Sequence, residues 1–196
     1  MNLIKNRYQV DVRKIVIFGA GKIGRSFIGQ LFGSGGYKVV FIDVDPVIVT
    51  RLNSQGSYRV IIKGGKNKEI IIRNVQAISA SDIEKVAETV STAGILAVSV
   101  GKNALEKVIP VIADGLEIRY KKNPTCPLDI IIAENMRDAG DFMKEQLIKN
   151  LSLDYPVEKL VGLVETSIGI IDPKADHLII KELKELFKVP DQNYKI

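Results

Sequence analysis

Phe18-Gly19-Ala20-Gly21-Lys22-Ile23-Gly24-Arg25 lies between the apolar run Lys14-Ile15-Val16-Ile17-Phe18 and a stretch of helical periodicity. The first run reads as a buried parallel strand ending at glycine. The second predicts a helix over about 22–32, with Ile23, Phe27, Ile28 and Leu31 forming one apolar stripe before the glycines between 33 and 36 break it. A helix that opens on glycines aims backbone N–H groups outward with no side chains in the way. That geometry suits a phosphate bridge, so the run points to a dinucleotide.

Working outward, Lys38-Val39-Val40-Phe41-Ile42-Asp43 reads as the second strand, and Pro46 suits the first turn of a helix that runs through Val47, Ile48 and Leu52 to Gly56. Tyr58 to Lys63 and Lys68 to Arg73 read as a hairpin insertion around Gly64-Gly65-Lys66-Asn67. Ser81 to Val90 is expected to be helical, with Ser81 as cap and Glu84 completing a capping box. Gly94 to Gly101 is the next buried strand, followed by a helix over about 104–116 that Pro110 is expected to kink or divide.

Leu128 to Ala133 reads as a strand ending at Glu134-Asn135, Asp141 to Leu151 as a helix, and Leu160 to Ile171 as a last strand-like stretch. Strands alternating with helices predict an α/β fold, a doubly wound Rossmann-type, mostly parallel sheet carrying a β-hairpin insertion. The expected organisation is an N-terminal extension over 1–13, a nucleotide-binding domain over 14–173, and a helical tail over 174–196. The tail contains an amphipathic helix from Asp176 to Phe187.

The 196 residues can bury a full core, and 46% hydrophobic with 26% charged residues is an ordinary soluble composition. No apolar run approaches the roughly 18 residues of a membrane span. Lys5, Arg7, Asp11 and Arg13 interrupt the first segment, which excludes a secretory signal and leads to a cytoplasmic expectation. Cys126 is the single cysteine, so no intrachain disulfide and no cysteine-based metal cluster is expected. The net charge of +5 permits an anionic ligand. Its basic residues are scattered, the clusters at 63–68 and 119–122 read as solvated faces, and nucleic-acid binding is not expected.

Asp43 follows Gly24 by nineteen residues, the spacing of a carboxylate that accepts hydrogen bonds from the adenosine ribose hydroxyls. A helix-capping role is the alternative, for which Asp45 before Pro46 is better placed. Asp43 would repel a 2′-phosphate, and Val44-Asp45-Pro46 brings no arginine to offset this, so NAD is favoured over NADP. From the first helical turn Arg25 reaches either a cofactor phosphate or a surface carboxylate. Lys102 and Asn103 follow Gly101 at a strand end, where ligands of such sheets gather.

Phe18-Gly-Ala-Gly-Lys-Ile-Gly-Arg-Ser-Phe-Ile-Gly29 resembles the opening fingerprint of the mannitol-1-phosphate 5-dehydrogenases, within the polyol-specific long-chain dehydrogenase family. Val98-Ser-Val-Gly101 resembles that family's strand end beside the nicotinamide. Ile130-Ile-Ile-Ala-Glu-Asn-Met136 resembles its stretch ending in Cys-Glu-Asn-Met. The similarity runs from about 14 to 173, the N-terminal half of a typical member. It implies NAD as cofactor, held by Phe18, Gly19, Ala20, Gly21, Lys22, Ile23, Gly24, Arg25, Asp43, Val100 and Gly101. It implies a sugar alcohol phosphate as substrate, with mannitol 1-phosphate converted to fructose 6-phosphate. Asn135 matches an asparagine that supports the reacting oxygen; bonding backbone at the strand end is its alternative role.

The family's general base is a lysine in a Lys-x4-Asn-x2-His pattern, and this pattern is absent here. Around His177 the spacing would require Lys at 169 and Asn at 174, where Gly169 and Lys174 stand, so His177 reads as a surface residue. Ser167 to Pro173 replaces the family's Asp-Arg with Ile168-Gly169, and Lys102 replaces its proline. The expectation is a cofactor half whose catalytic half is missing or supplied by a separate chain. The alternatives are the cofactor half of a hexuronate reductase and a non-catalytic NAD-binding module.

Overall fold

Six parallel strands form the central sheet of the computed structural model, which describes residues 8–62 and 68–166. Their order is β5 (Val75–Ser79), β2 (Lys38–Asp43), β1 (Asp11–Phe18), β6 (Ala93–Val98), β7 (Leu128–Ile132) and β8 (Val161–Glu165). Parallel neighbours need crossovers. These are a helix over 22–34, α2 (Pro46–Gln55), α3 (Ile83–Ser91), α4 (Lys102–Lys122), α5 (Ala139–Asn150) and the short α6 (Val157–Leu160). The first helix holds a π-helical turn, Gly24–Gly29, that continues into α1 (Gln30–Ser34). Chain order reverses between β1 and β6, which opens the crevice where ligands of doubly wound sheets bind.

Alternation along each strand divides the core in two. Val16, Phe18, Val40, Ile42, Leu96, Val98, Ile130 and Ile132 pack with residues of α3, α4 and α5. Ile15, Ile17, Val39, Phe41 and Ala97 face the opposite layer with Ile28, Phe32 and Leu52. A sheet buried on both faces explains why these strands read as continuous apolar runs. The predicted hairpin is present as β3 (Ser57–Ile62) paired antiparallel with β4 (Lys68–Arg73), a two-stranded sheet of its own. Val60 and Ile72 enter the second core cluster from it.

Several boundaries differ from the sequence reading. β1 starts at Asp11, three residues before the expected Lys14, because Asp11 pairs with Ala93 across the sheet. β5 was not anticipated from the sequence; Val75, Ala77 and Ile78 are its buried residues. The cap of α3 is Asp82, whose Oδ1 accepts from Lys85 N–H at 3.3 Å, and Ser81 instead bonds Ser79. Pro110 does not divide α4, which runs 21 residues. Pro110 and Glu106 are both exposed, so the carbonyl left without its N–H partner faces solvent.

The basic cluster at 119–122 needs a larger correction. Arg119 is not solvated but 2% exposed, and its guanidinium donates to the carbonyls of Ser91, Ala93, Cys126 and Pro127 at 2.6–3.0 Å. It fastens the ends of α3 and α4 to the strands that follow them. Cys126 is a half-buried free thiol near this junction. Among the described residues no helix is long and apolar enough to cross a membrane. The loop 63–67, the Ser167 to Pro173 stretch, His177 and the tail over 174–196 lie outside the described residues.

Replacing Arg119 by methionine keeps the apolar stem but leaves four carbonyls without their donor. Charge-assisted bonds of this kind contribute on the order of 1.5–3 kcal/mol each, and partial hydration limits the sum. We expect a loss of about 3 kcal/mol in urea denaturation with unchanged slope; a loss below about 1 kcal/mol would contradict the anchoring role.

Candidate functional site

The glycine turn leaves β1 at the crevice. Gly19 N–H donates to Ile42 O at 2.8 Å, and its φ of +93° is a conformation that side chains rarely adopt. A Cβ there would overlap the backbone of Ser99, and one at Gly24 would overlap the carbonyl oxygen of Gly19. Both residues therefore serve close backbone approach. Gly21 is different: it is exposed, and no atom lies within 4 Å of where its Cβ would be. The space above the turn is open on that side.

Asp43 ends β2 and turns toward this turn. Its Oδ2 accepts from Ala20 N–H at 2.6 Å and its Oδ1 from Asp45 N–H at 2.9 Å. Asp45 is the helix cap, accepting from Val47 and Ile48 N–H, so the capping alternative for Asp43 does not hold. A carboxylate has about four acceptor positions, and two of those of Asp43 remain available.

Arg25 is half-buried in the π-helical turn, and no carboxylate lies within ion-pairing distance of it among the described residues. The surface-salt-bridge alternative thus lacks a partner there. Its carbonyl accepts from the Tyr58 hydroxyl at 2.7 Å, and burial pushes the Tyr58 phenol up. The hairpin thereby holds the helix that carries the glycine run. Phe18 is buried beneath the turn, Lys22 is exposed and Ile23 is half-buried.

Across the crevice, Val100 and Gly101 follow β6, with Gly101 at a φ of +85° immediately before α4. A depression of about 340 Å³ is lined there by Val100, Gly101, Lys102, Asn103, Ala104 and Lys107. The residue that shapes this loop is Glu134, which the sequence reading passed over. Its Oε1 accepts from Val100 N–H at 2.7 Å and from Gly101 N–H at 2.9 Å, while the residue is only 5% exposed. Burial pushes its carboxyl up, and the two backbone donors pull in the other direction. Buried glutamate at a strand end was the available signal.

Asn135 follows on the same loop, exposed, with no hydrogen bond from its side chain to the described residues. The alternative role of bonding backbone is therefore not observed. Its amide, the Glu134-tied loop and the glycine turn all lie at the C-terminal ends of β1, β6 and β7. Among the described residues no group of His, Cys, Asp and Glu is placed to hold a metal ion.

Glu134→Gln keeps an acceptor for the two N–H groups and removes the buried charge, whereas Glu134→Ala leaves both donors unpaired. We expect the alanine variant to lose about 2 kcal/mol in thermal or urea unfolding and the glutamine variant less. The folded carboxyl sits above its ordinary value of 4.5. The native state therefore holds the proton more tightly, and wild type should lose stability relative to Glu134→Gln as pH rises from that value. A pH-independent difference would contradict this.

Residues 13–190 match the family described as the mannitol dehydrogenase Rossmann domain. The mannitol-1-phosphate 5-dehydrogenase of Geobacillus stearothermophilus is 38% identical over 165 residues, covering 83% of this chain and 43% of that protein. The one from Buchnera aphidicola subsp. Acyrthosiphon pisum (strain Tuc7) is 35% identical over 180 residues, covering 88% and 46%. The chain thus spans somewhat less than half the length of these curated relatives. In solved structures, Pseudomonas fluorescens mannitol 2-dehydrogenase, a ternary complex with NAD and D-mannitol, superposes with a TM-score of 0.58 at 10% identity, covering 80% of this chain and 41% of that one. A UDP-glucose dehydrogenase from Pyrobaculum islandicum gives 0.59 at 12%, covering 97% and 46%. At such identities the likeness is one of fold.

Proposed function

The chain belongs to the mannitol dehydrogenase family through its Rossmann domain, and from that premise we propose that it is the NAD-binding half of a polyol-phosphate dehydrogenase. The observation that carries the reading is the Asp43 carboxylate. It is fixed against Ala20 in the glycine turn at the strand-order reversal, with acceptor positions left over.

The residues fit the cofactor. The open side of Gly21 would leave room for a pyrophosphate, the Arg25 guanidinium, which has no ion-pair partner among the described residues, would supply positive charge, and Asp43 would accept hydrogen bonds from the ribose hydroxyls while repelling a 2′-phosphate. Val100 and Gly101 would border the nicotinamide. NAD, when bound, supplies the hydride acceptor for alcohol oxidation. Asn135 would donate its amide N–H to the oxygen that carries the developing negative charge, a stabilisation that needs no reorganisation.

The relatives at 35–38% identity are named for mannitol 1-phosphate, which favours mannitol 1-phosphate and fructose 6-phosphate over a hexuronate pair. Alcohol oxidation also needs a base. The family's Lys-x4-Asn-x2-His pattern is not among these 196 residues, so the base comes from a segment or chain beyond this sequence. A cytoplasmic setting suits that metabolic role.

Calorimetric titration of NADH and NADPH into this chain tests the reading. NADH should bind more tightly, and Asp43→Ala should weaken it by about tenfold, or roughly 1.4 kcal/mol. Unchanged affinity in the variant would remove Asp43 from the site. Mannitol 1-phosphate with NAD should give no NADH with this chain alone. Activity should arise when a catalytic half carrying the lysine is added; its failure to arise would favour the non-catalytic module.

A further inference from the structure

We propose that the cleft lined by Lys14, Lys38 and Lys85 binds a small phosphorylated anion at a site separate from the dinucleotide crevice. Lys14 lies in β1 and Lys38 opens β2, directly opposite each other in the parallel register. Both stand on the same face as Val16 and Val40, the face that α3 covers. From α3 come Lys85 and Thr89, and from β5 Gln76, so that the walls enclose about 420 Å³.

Like charges set side by side on a sheet are destabilising unless something offsets them. The ion pairs among the described residues are Arg59 with Glu69 and Lys144 with Glu158, so none of the three lysines is in one. Lys14 is 8% exposed and donates to Thr92 Oγ1, which leaves two of its three N–H groups. Burial, with the Lys38 ammonium beside it, lowers its pKa to about 8. The Asp11 carboxylate acts in the opposite direction on Lys14, and its Oδ1 also accepts from Arg13 N–H. Three lysines thus line one cleft, with no ion pair to any of them among the described residues.

The chemistry of the walls selects the class of ligand. Three ammonium groups act as separate point charges and lack the flat fork that grips a planar carboxylate. A phosphoryl group offers about −1.5 to −2 charges and three acceptor oxygens, which suits a cleft lined by three lysines. The volume exceeds that of the bare ion, and the Val40 floor accommodates a short carbon body. Lys38 and Asp43 are the two ends of β2, so Lys38 stands about 16 Å along the strand from the proposed ribose carboxylate.

Glycerol 3-phosphate is the probe, titrated calorimetrically into the 196-residue chain with NADH in excess so that the dinucleotide crevice does not compete. We expect saturable binding with a dissociation constant below about 1 mM. The Lys38→Gln/Lys85→Gln double variant should weaken it by about tenfold while NADH affinity stays unchanged and the melting temperature does not fall. Absence of saturation, equal affinity in the double variant, or equally tight binding of citrate would overturn the proposal. The same titration without NADH and with Asp43→Ala should give the wild-type glycerol 3-phosphate affinity, which separates this site from the proposed cofactor site.

Discussion

The rim of the sheet depends on how closely the backbone returns on itself between Gly19 and Gly24. The Gly19 carbonyl occupies the space a side chain would take at Gly24, and Ser99 does the same at Gly19. With that approach available, the first helix starts within a few residues of the end of β1 and packs against the sheet through Ile28 and Phe32. A single methyl group at either position would push the helix off the strand end. Everything placed over the crevice inherits its position from this contact.

Two carboxylates then hold the crevice from either side. Asp43, at the end of β2, ties the turn that follows β1, and Glu134, after β7, ties the loop that follows β6. Each comes from the strand just outside the one whose loop it fastens, so the pair brackets the β1–β6 reversal. Their environments separate their roles. Asp43 is partly exposed with acceptor capacity to spare, while Glu134 is buried with its oxygen committed to two N–H donors. Below them, Gly19 to Ile42, Ser99 to Phe18 and Ala133 to Val98 form backbone bonds that keep the four strand ends level.

Much of this was legible because the relevant signals are local. The apolar runs of β1, β2, β6 and β7, the glycine spacing, and the Pro46 to Gly56 helix are written in consecutive residues. What escaped depends on partners far along the chain. β5 is a five-residue edge strand whose identity comes from pairing with β2, and its Gln76 and Ser79 blur the apolar signal. Arg119 looked like part of a solvated cluster, and only the return of Ser91, Ala93, Cys126 and Pro127 around it makes a buried guanidinium tolerable. Glu134 shares this dependence, since its two donors sit more than thirty residues earlier in the sequence.

The hairpin shows how an insertion becomes part of the site it flanks. A π-helical turn widens the hydrogen-bond ladder from i+4 to i+5 and opens its carbonyls to donors from outside. Here that donor is the Tyr58 hydroxyl, on Arg25 O, and it can reach because Gly29 presents no side chain beneath it. Gly33 gives Ile72 of the other hairpin strand the same close seat, and the Phe41 ring meets Tyr58 edge-on at 5.8 Å. The glycines of the turn and of the first helix thus do two jobs on two faces. Gly19 to Gly24 clear the backbone toward the crevice, and Gly29 and Gly33 admit the hairpin that fixes the same helix from behind. A side chain on the hairpin face would therefore reach the crevice through Arg25, although no described hairpin residue lies within 4 Å of the Cβ position of Gly21.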